Sequence, residues 1–242
     1  EIYMGDWSSD VCSSDLVRQS WAHDEEGALH DARIVCDRAR AMDEDAAITR
    51  TAYAHLLLRT GRAAESALML EELLVKEPHN RDALLLVSEA RIDQFLKTGE
   101  RQFALKAQRR ARLGIEVAPR FWKAHWQLGR AEFELGQLDD ALRSYKEAAR
   151  LDPNEYVLGN LGSVSFCSGD VQGAHDAYQQ ARRVTGNPHL GEEYMGMFYY
   201  YLGAFPQSLE ARQRAVASFN SQTGPDRKST RLNSSHPYIS RM

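Results

Sequence analysis

The chain has 242 residues, of which 43% are hydrophobic and 26% charged, with a formal charge of −4 and three cysteines. These values exclude a collagen-like, a disulfide-stapled and a strongly basic chain, and no apolar run approaches the roughly 18 residues that a membrane-spanning helix needs. The length is ample for a large core, and the charge balance gives no electrostatic case for nucleic acid or an anionic membrane.

The chain opens on a segment that does not read as protein. Residues 6–16 are DWSSDVCSSDL, and near the other end residues 226–236 are DRKSTRLNSSH. Both resemble translations of a common sequencing-library adapter, read from opposite strands. Residues 1–16 and 226–242 are therefore expected to be adapter-derived and disordered, and the native part to be an internal gene fragment, 17–225. The two ends hold five acids and four bases. Without them 29 acids face 26 bases, a net of −3. The cluster Arg227, Lys228 and Arg231 is then no targeting signal. Cys36 and Cys167 remain, too far apart for a zinc spacing or a CxxC motif.

From Val17 onward the chain repeats itself. Gly27, Gly61, Gly99, Gly136, Gly169 and Gly203 are 34, 38, 37, 33 and 34 residues apart. Five places after each stands Ala32, Ser66, Ala104, Ala141, Ala174 or Ser208. Seven further on stands Ala39, Leu73, Ala111, Ala148, Ala181 or Ala215. Apolar residues recur at three and four on both sides of each glycine, which predicts a helix, a turn and a second helix. The glycine supplies a left-handed backbone that ends the first helix. The small residue lets the second helix come close to the first. Pro78, Pro153 and Pro188 end second helices and turn the chain into the next unit. In the third unit three or four extra residues are expected in its turn or in its second helix.

Units are expected at about 17–44, 47–78, 80–118, 120–153, 154–187 and 189–220, the first truncated. The clearest is AHWQLGRAEFELGQLDDALRSYKEAARLDP, residues 124–153. Leu128-Gly129, Ala141, Tyr145, Ala148 and Pro153 fall in the pattern of a tetratricopeptide repeat. Leu161-Gly162, Ala174, Tyr178 and Ala181 repeat it, as do Met195-Gly196, Ser208 and Ala215. The chain resembles that family over residues 17–225. The resemblance implies an all-α solenoid of about six stacked antiparallel helix pairs. One amphipathic pair cannot bury its apolar face alone, so each unit depends on its neighbours and the cut ends should be frayed and sticky.

Residues with chemistry do not converge. His30, His55, His125 and His175 are scattered. Adjacent carboxylates such as Glu71-Glu72 and Asp139-Asp140 sit about 100° apart on a helix and cannot face one cleft. Asp139-Asp140 suits a helix start. The run of residues 106–112, KAQRRAR, reads as a solvated face, and the two cysteines as packing residues. No catalytic, cofactor or metal site is expected, and the chain is expected not to be an enzyme.

The resemblance further implies that first helices line a concave groove where ligands bind. Carried over position by position, the groove residues are Lys123, Trp126, Arg130 and Phe133, then Tyr156, Asn160 and Phe166, then Met197, Tyr200 and Tyr201. Trp126, Arg130 and Tyr201 are assigned to the groove. Phe133, Phe166 and Tyr200 suit either the groove or packing between helices. Of the family's carboxylate-clamp positions, held here by Trp126, Arg130, Asn160, Leu190 and Tyr194, only Asn160 matches, so a clamp for a peptide's C-terminus is not expected. The expected function is a non-enzymatic scaffold that binds a protein or peptide partner in this groove through aromatic residues, with no nucleic acid and no membrane as partner. The alternative is the sensory or docking arm of a larger enzyme or regulator, such as a kinase, cyclase or transcription factor. No residue names a compartment; the cytoplasm is favoured.

Overall fold

A computed structural model describes residues 33–34, 36–41, 46–184 and 188–223 of the protein. The adapter-like ends lie outside these residues, as does most of the first expected unit with Gly27, His30 and Ala32. Among the described residues the chain is helical, with no strand. It divides into two compact units, Glu1–Val117 and Ala118–Met242.

The first unit contains α1 (Ala47–Arg59), α2 (Ala63–Lys76), α3 (Arg81–Thr98) and α4 (Arg101–Val117), each packed on the next. Its core is aliphatic. Ala54 and Leu58 of α1 meet Ala67, Leu70 and Leu74 of α2, which meet Ala83, Leu84 and Val87 of α3. Upstream of α1, Cys36 is buried against Ala52 and Leu56. Glu71 of α2 binds Arg91 of α3 at 3.5 Å and also pairs with Arg110 of α4.

The second unit contains α5 (Trp122–Glu134), α6 (Leu138–Leu151), α7 (Glu155–Cys167), α8 (Val171–Val184), α9 (Pro188–Tyr201) and α10 (Phe205–Thr223), again each on the next. Within each unit the helices thus stack as pairs, the all-α repeat architecture expected from the spacing.

The turns follow from the glycines. Gly61, Gly99, Gly136, Gly169 and Gly203 all have φ between 73° and 82°, where a Cβ would press on the carbonyl oxygen. At Gly61, Gly136, Gly169 and Gly203 the glycine N–H bonds the carbonyl three residues back, and the next N–H the carbonyl five back from itself. This reverse turn satisfies the helix's last carbonyls. Gly99 differs: its N–H bonds Phe95 four back. The extra length of the third repeat is not in this turn. It lies in α3, with 18 residues against 13 in α1, α5 and α7, and in α4, with 17 against 14 in α2, α6 and α8. Pro188 also departs from expectation, since it opens α9 rather than ending α8. A proline is well placed at a first helical position, where its missing N–H has no partner to lose.

The small residues mark the close approach within each pair. Ser66, Ala104, Ala141, Ala174 and Ser208 are buried. The two serines do more than save space. Ser66 donates to the Ala54 carbonyl and Ser208 to the Gly196 carbonyl, each 12 residues back and at 2.8 Å. Four residues beyond the small position, a large side chain lies over the first helix where that helix has glycine. Tyr145 covers Gly129, Tyr178 covers Gly162 and the Arg212 stem covers Gly196.

Gly162→Ala tests this contact against ordinary helix preference. In an open helix the change gains about 1 kcal/mol. Here the new methyl would meet the Tyr178 ring at 2.5 Å, and that ring is stacked on Tyr194. The expected net result in urea unfolding is a loss of about 1–3 kcal/mol, whereas a stability gain would show that the ring is free to yield.

Candidate functional site

The first helices of the second unit, α5, α7 and α9, hold all ten residues assigned to the groove. Trp126 is half-buried. Its ring packs on the cluster of Ala141, Tyr145 and Val164, with the Trp122 ring 6.1 Å away and the Arg130 guanidinium 4.9 Å from its centroid. Its Nε1–H is buried without an acceptor. Arg130 is 6% exposed and donates to Gln127 at 3.3 Å. It is thus an interior residue rather than an open groove cation: the Trp126 face and the Gln127 amide supply the contacts that water would otherwise provide. Glu132, also buried, accepts from Ser144 at 2.7 Å, so α5 buries a polar strip where α1 buries an aliphatic one.

Three of the remaining aromatic and sulfur side chains are taken up by packing. Phe133 joins the Tyr145 cluster. Phe166 lies edge-on to Phe198 at 6.2 Å, and both Phe166 and Met197 pack on the core of α7 to α10. Tyr200 is 52% exposed, but its neighbours are Phe205 at 5.7 Å and Arg212 at 5.8 Å, both from α10, which places it at the tip of the last pair. The Tyr201 side chain lies outside the described residues. Lys123, Tyr156 and Asn160 remain partly open, as do Ser163 and Glu193. Tyr156 follows Asn154, whose side chain caps α7 by accepting from the Val157 N–H at 3.1 Å.

The sequence reading missed a tyrosine stack at the centre of this unit. Tyr178 and Tyr194 lie 5.7 Å apart and nearly parallel, at 16°. Tyr194 crosses Gly159, where a Cβ would stand 2.5 Å from its ring, so this stretch of the α7 backbone is roofed over. Tyr178 reaches the Ser163 hydroxyl at 3.0 Å. The signal was present in the sequence: two glycines three apart on α7 leave a bare backbone stripe on one helix face, and bulky rings fill such stripes.

Elsewhere the titratable groups serve structure. His125 donates to the Pro119 carbonyl at 2.8 Å, and His175 lies on Phe198 at 5.5 Å. Asp140 pairs with Arg143 in the first turn of α6. Burial pushes the Cys167 thiol up, which disfavours its thiolate form. Among the described residues no group of His, Cys, Asp and Glu could hold a metal ion. No described helix is long and apolar enough to cross a membrane.

With this geometry in view, the comparisons with known proteins are specific about fold. Residues 122–155, which span α5 and α6, match the tetratricopeptide repeat family model. The fold is that of the tetratricopeptide repeat. A thermophilic tetratricopeptide-repeat protein of Thermus thermophilus superposes with a TM-score of 0.66 at 18% identity, covering 88% of this chain and 99% of that one. A tetratricopeptide repeat protein from Parabacteroides merdae gives 0.63 at 14% identity, covering 86% and 78%. YrrB, a tetratricopeptide-repeat protein with an unusual peptide-binding site, gives 0.51 at 15% identity, covering 76% and 91%. Human tetratricopeptide repeat protein 13 is 24% identical over 82 residues, 34% of this chain, and the match spans a tenth of that relative's length.

The buried Tyr194 phenol is expected to make stability sensitive to alkali. Burial first, then the nearby Tyr156, Tyr178, Glu155 and Glu193, raise the Tyr194 phenol well above its usual value. The folded state therefore holds this proton more tightly than the unfolded chain. Its contribution is complete below the unfolded value of about 10 and is lost as pH rises beyond it. Urea midpoints measured from pH 8 to 11 should fall above about pH 10, and Tyr194→Phe should flatten that fall.

Proposed function

We propose that this chain is a non-enzymatic scaffold, and that its second unit holds a partner protein's peptide or helix along α5, α7 and α9. The reading rests on one observation. On successive first helices Lys123 and Tyr156, at matching places, and Asn160 and Glu193, each about one turn further along its helix, stay partly open beside residues that pack against neighbouring helices. Such a row is chemically mixed and carried on rigid helices, so a partner can be ordered on it with little cost in scaffold entropy. The fold shared with a protein described by its peptide-binding site supports the same reading.

The anchors in this reading are fewer and less aromatic than the sequence alone implied. Tyr156 is the central one, with Asn160 one helical turn away to pair with a partner's backbone. The exposed edge of Trp126 flanks them, held in place by Arg130. Lys123 and Glu193 set the polarity of the row. The buried Arg130, with Phe133, Phe166 and Met197 packed against neighbouring helices, fixes its shape rather than touching the partner.

Panning a displayed peptide library on the purified chain provides ligands for the test. Burying one aromatic ring is worth roughly 1.5–3 kcal/mol, so Tyr156→Ala should weaken selected peptides at least about tenfold, with circular dichroism unchanged. Peptides that bind the variant as tightly as the parent chain would refute the placement of the groove.

A further inference from the structure

The second helices of the first unit, α2 and α4, carry two matched stripes of opposite charge. α2 is flanked by α1 and α3, and α4 packs on α3, so the outward face of α2 is not an open end of the stack. Its exposed residues Glu65, Leu68, Glu72 and Val75 are spaced three, four and three apart, as one side of a helix requires. Leu68 and Val75 are 63% and 82% exposed. They are aliphatic side chains standing in water, each with an acid three residues before it. The same spacing on α4 gives Lys106, Arg109, Leu113 and Glu116, again exposed. α2 and α3 are joined by four residues, and α3 and α4 by two. Helices joined so briefly are antiparallel, and α2 and α4 therefore run the same way. Glu71 of α2 and Arg110 of α4 tie them side by side. Glu71 precedes Glu72 and Arg110 follows Arg109, so the ion pair occupies facing flanks, about 100° of turn from each. Both stripes therefore look to the same side. They are also level. The repeat sets Ser66 with Ala104 and Leu73 with Ala111, 38 residues on. The same step sets Val75 with Leu113, Leu68 with Lys106, and Glu72 with Arg110, next to Arg109.

We infer that two copies of the chain meet through this face. A two-fold contact brings a surface onto itself, and here the charges choose the axis. An axis across the helices would lay α2 on α2 and α4 on α4, acids on acids and bases on bases, which is repulsive. An axis along the helices, between α2 and α4, lays α2 of each copy on α4 of the other. Glu72 then meets Arg109 of the partner copy, and Val75 meets its Leu113. The stem of the partner copy's Lys106 lies on Leu68, with its ammonium toward Glu65. At the last turn the signs exchange, with Lys76 exposed on α2 and Glu116 on α4, and the match holds. Every contact occurs twice. Within one chain the two acids have only exposed pairs to give up, Glu65 with Arg62 and Glu72 with Arg50 at 4.0 Å, and such pairs contribute little. A face two helices wide and about 20 Å long is small for an interface, so the dimer forms at micromolar concentration.

Sedimentation of the full chain across the micromolar range tests this. A monomer–dimer equilibrium is expected, shifted toward monomer by high salt. Arg109→Glu and Glu72→Arg each set like charges against one another at both copies of the contact. Each should raise the dissociation constant more than about tenfold, with circular dichroism unchanged. Val75→Ser, which alters no charge, should weaken the dimer as well. Mixing the Arg109→Glu chain with the Glu72→Arg chain restores an opposite-charge pair at both contacts, so a mixed dimer of near-parent affinity is expected. A chain that stays monomeric throughout overturns the inference, as does association indifferent to the two reversals. Two variants that fail to associate alone and do not recover when mixed overturn the pairing of α2 with α4.

Discussion

Within each helix pair the structure depends on one close backbone contact. The second helix brings a small residue against the first, and in the three pairs of the second unit a large residue one turn later is laid over a glycine of the first helix. Ser66 and Ser208 show how near the backbones come, since a hydroxyl on one helix reaches a main-chain carbonyl on the other at 2.8 Å. A longer side chain at either place would separate the helices and open voids beside Leu70 or Met195, both fully buried. The left-handed glycine that precedes each contact sets its register. It ends the first helix at a fixed residue, so the small residue five places later always faces the same turn. Turn glycine and small residue thus act as one device repeated along the chain, and in the second unit the overlying side chain joins them.

That device is why the fold could be read from the sequence. Backbone conformation at a turn and lack of bulk at a close approach each leave few residues able to do the work. Gly61, Gly99, Gly136, Gly169 and Gly203 could be assigned before any coordinates, as could Ala104, Ala141 and Ala174. Helix length is a different matter. Nothing about Gly99 itself says whether the added residues precede or follow it. α3 takes five of them because its apolar residues continue the helical pattern through Leu96, and Gly99 then caps it without the tighter turn used elsewhere.

The candidate site was less legible, because side-chain exposure in a repeat depends on the neighbouring pair. Arg130 and Trp126 occupy places that the family pattern assigns to the groove. Arg130 is nonetheless buried, since Trp126 offers its ring and Gln127 its amide within one turn. Between Tyr156 and Asn160, Gly159 offers only backbone, and Tyr194 from the next pair closes over it. Tyr156, at the start of α7, and Asn160, one turn further on, remain partly open, although Tyr156 lies near Tyr194 of the stack. Position in the motif gives the direction of a Cα–Cβ bond. Which side chains then stay open is decided by what the next pair brings.

The contacts between successive pairs carry a second kind of information. Ala149 on Leu158 is a dry apolar contact, while one repeat later Arg182 meets Glu192, which also receives Arg214 at 2.9 Å. Gly191 allows this, because a side chain there would strike the Arg182 backbone at 2.7 Å. Interchanging the two first helices would set the buried Glu192 against Ala149 and take Arg182 from its carboxylate, while Arg182 would face Leu158. A buried ion pair adds little net stability over an apolar contact, but removing one partner is costly. The pair-to-pair contacts therefore differ in chemistry while sharing geometry, and this fixes the order in which otherwise similar helix pairs stack.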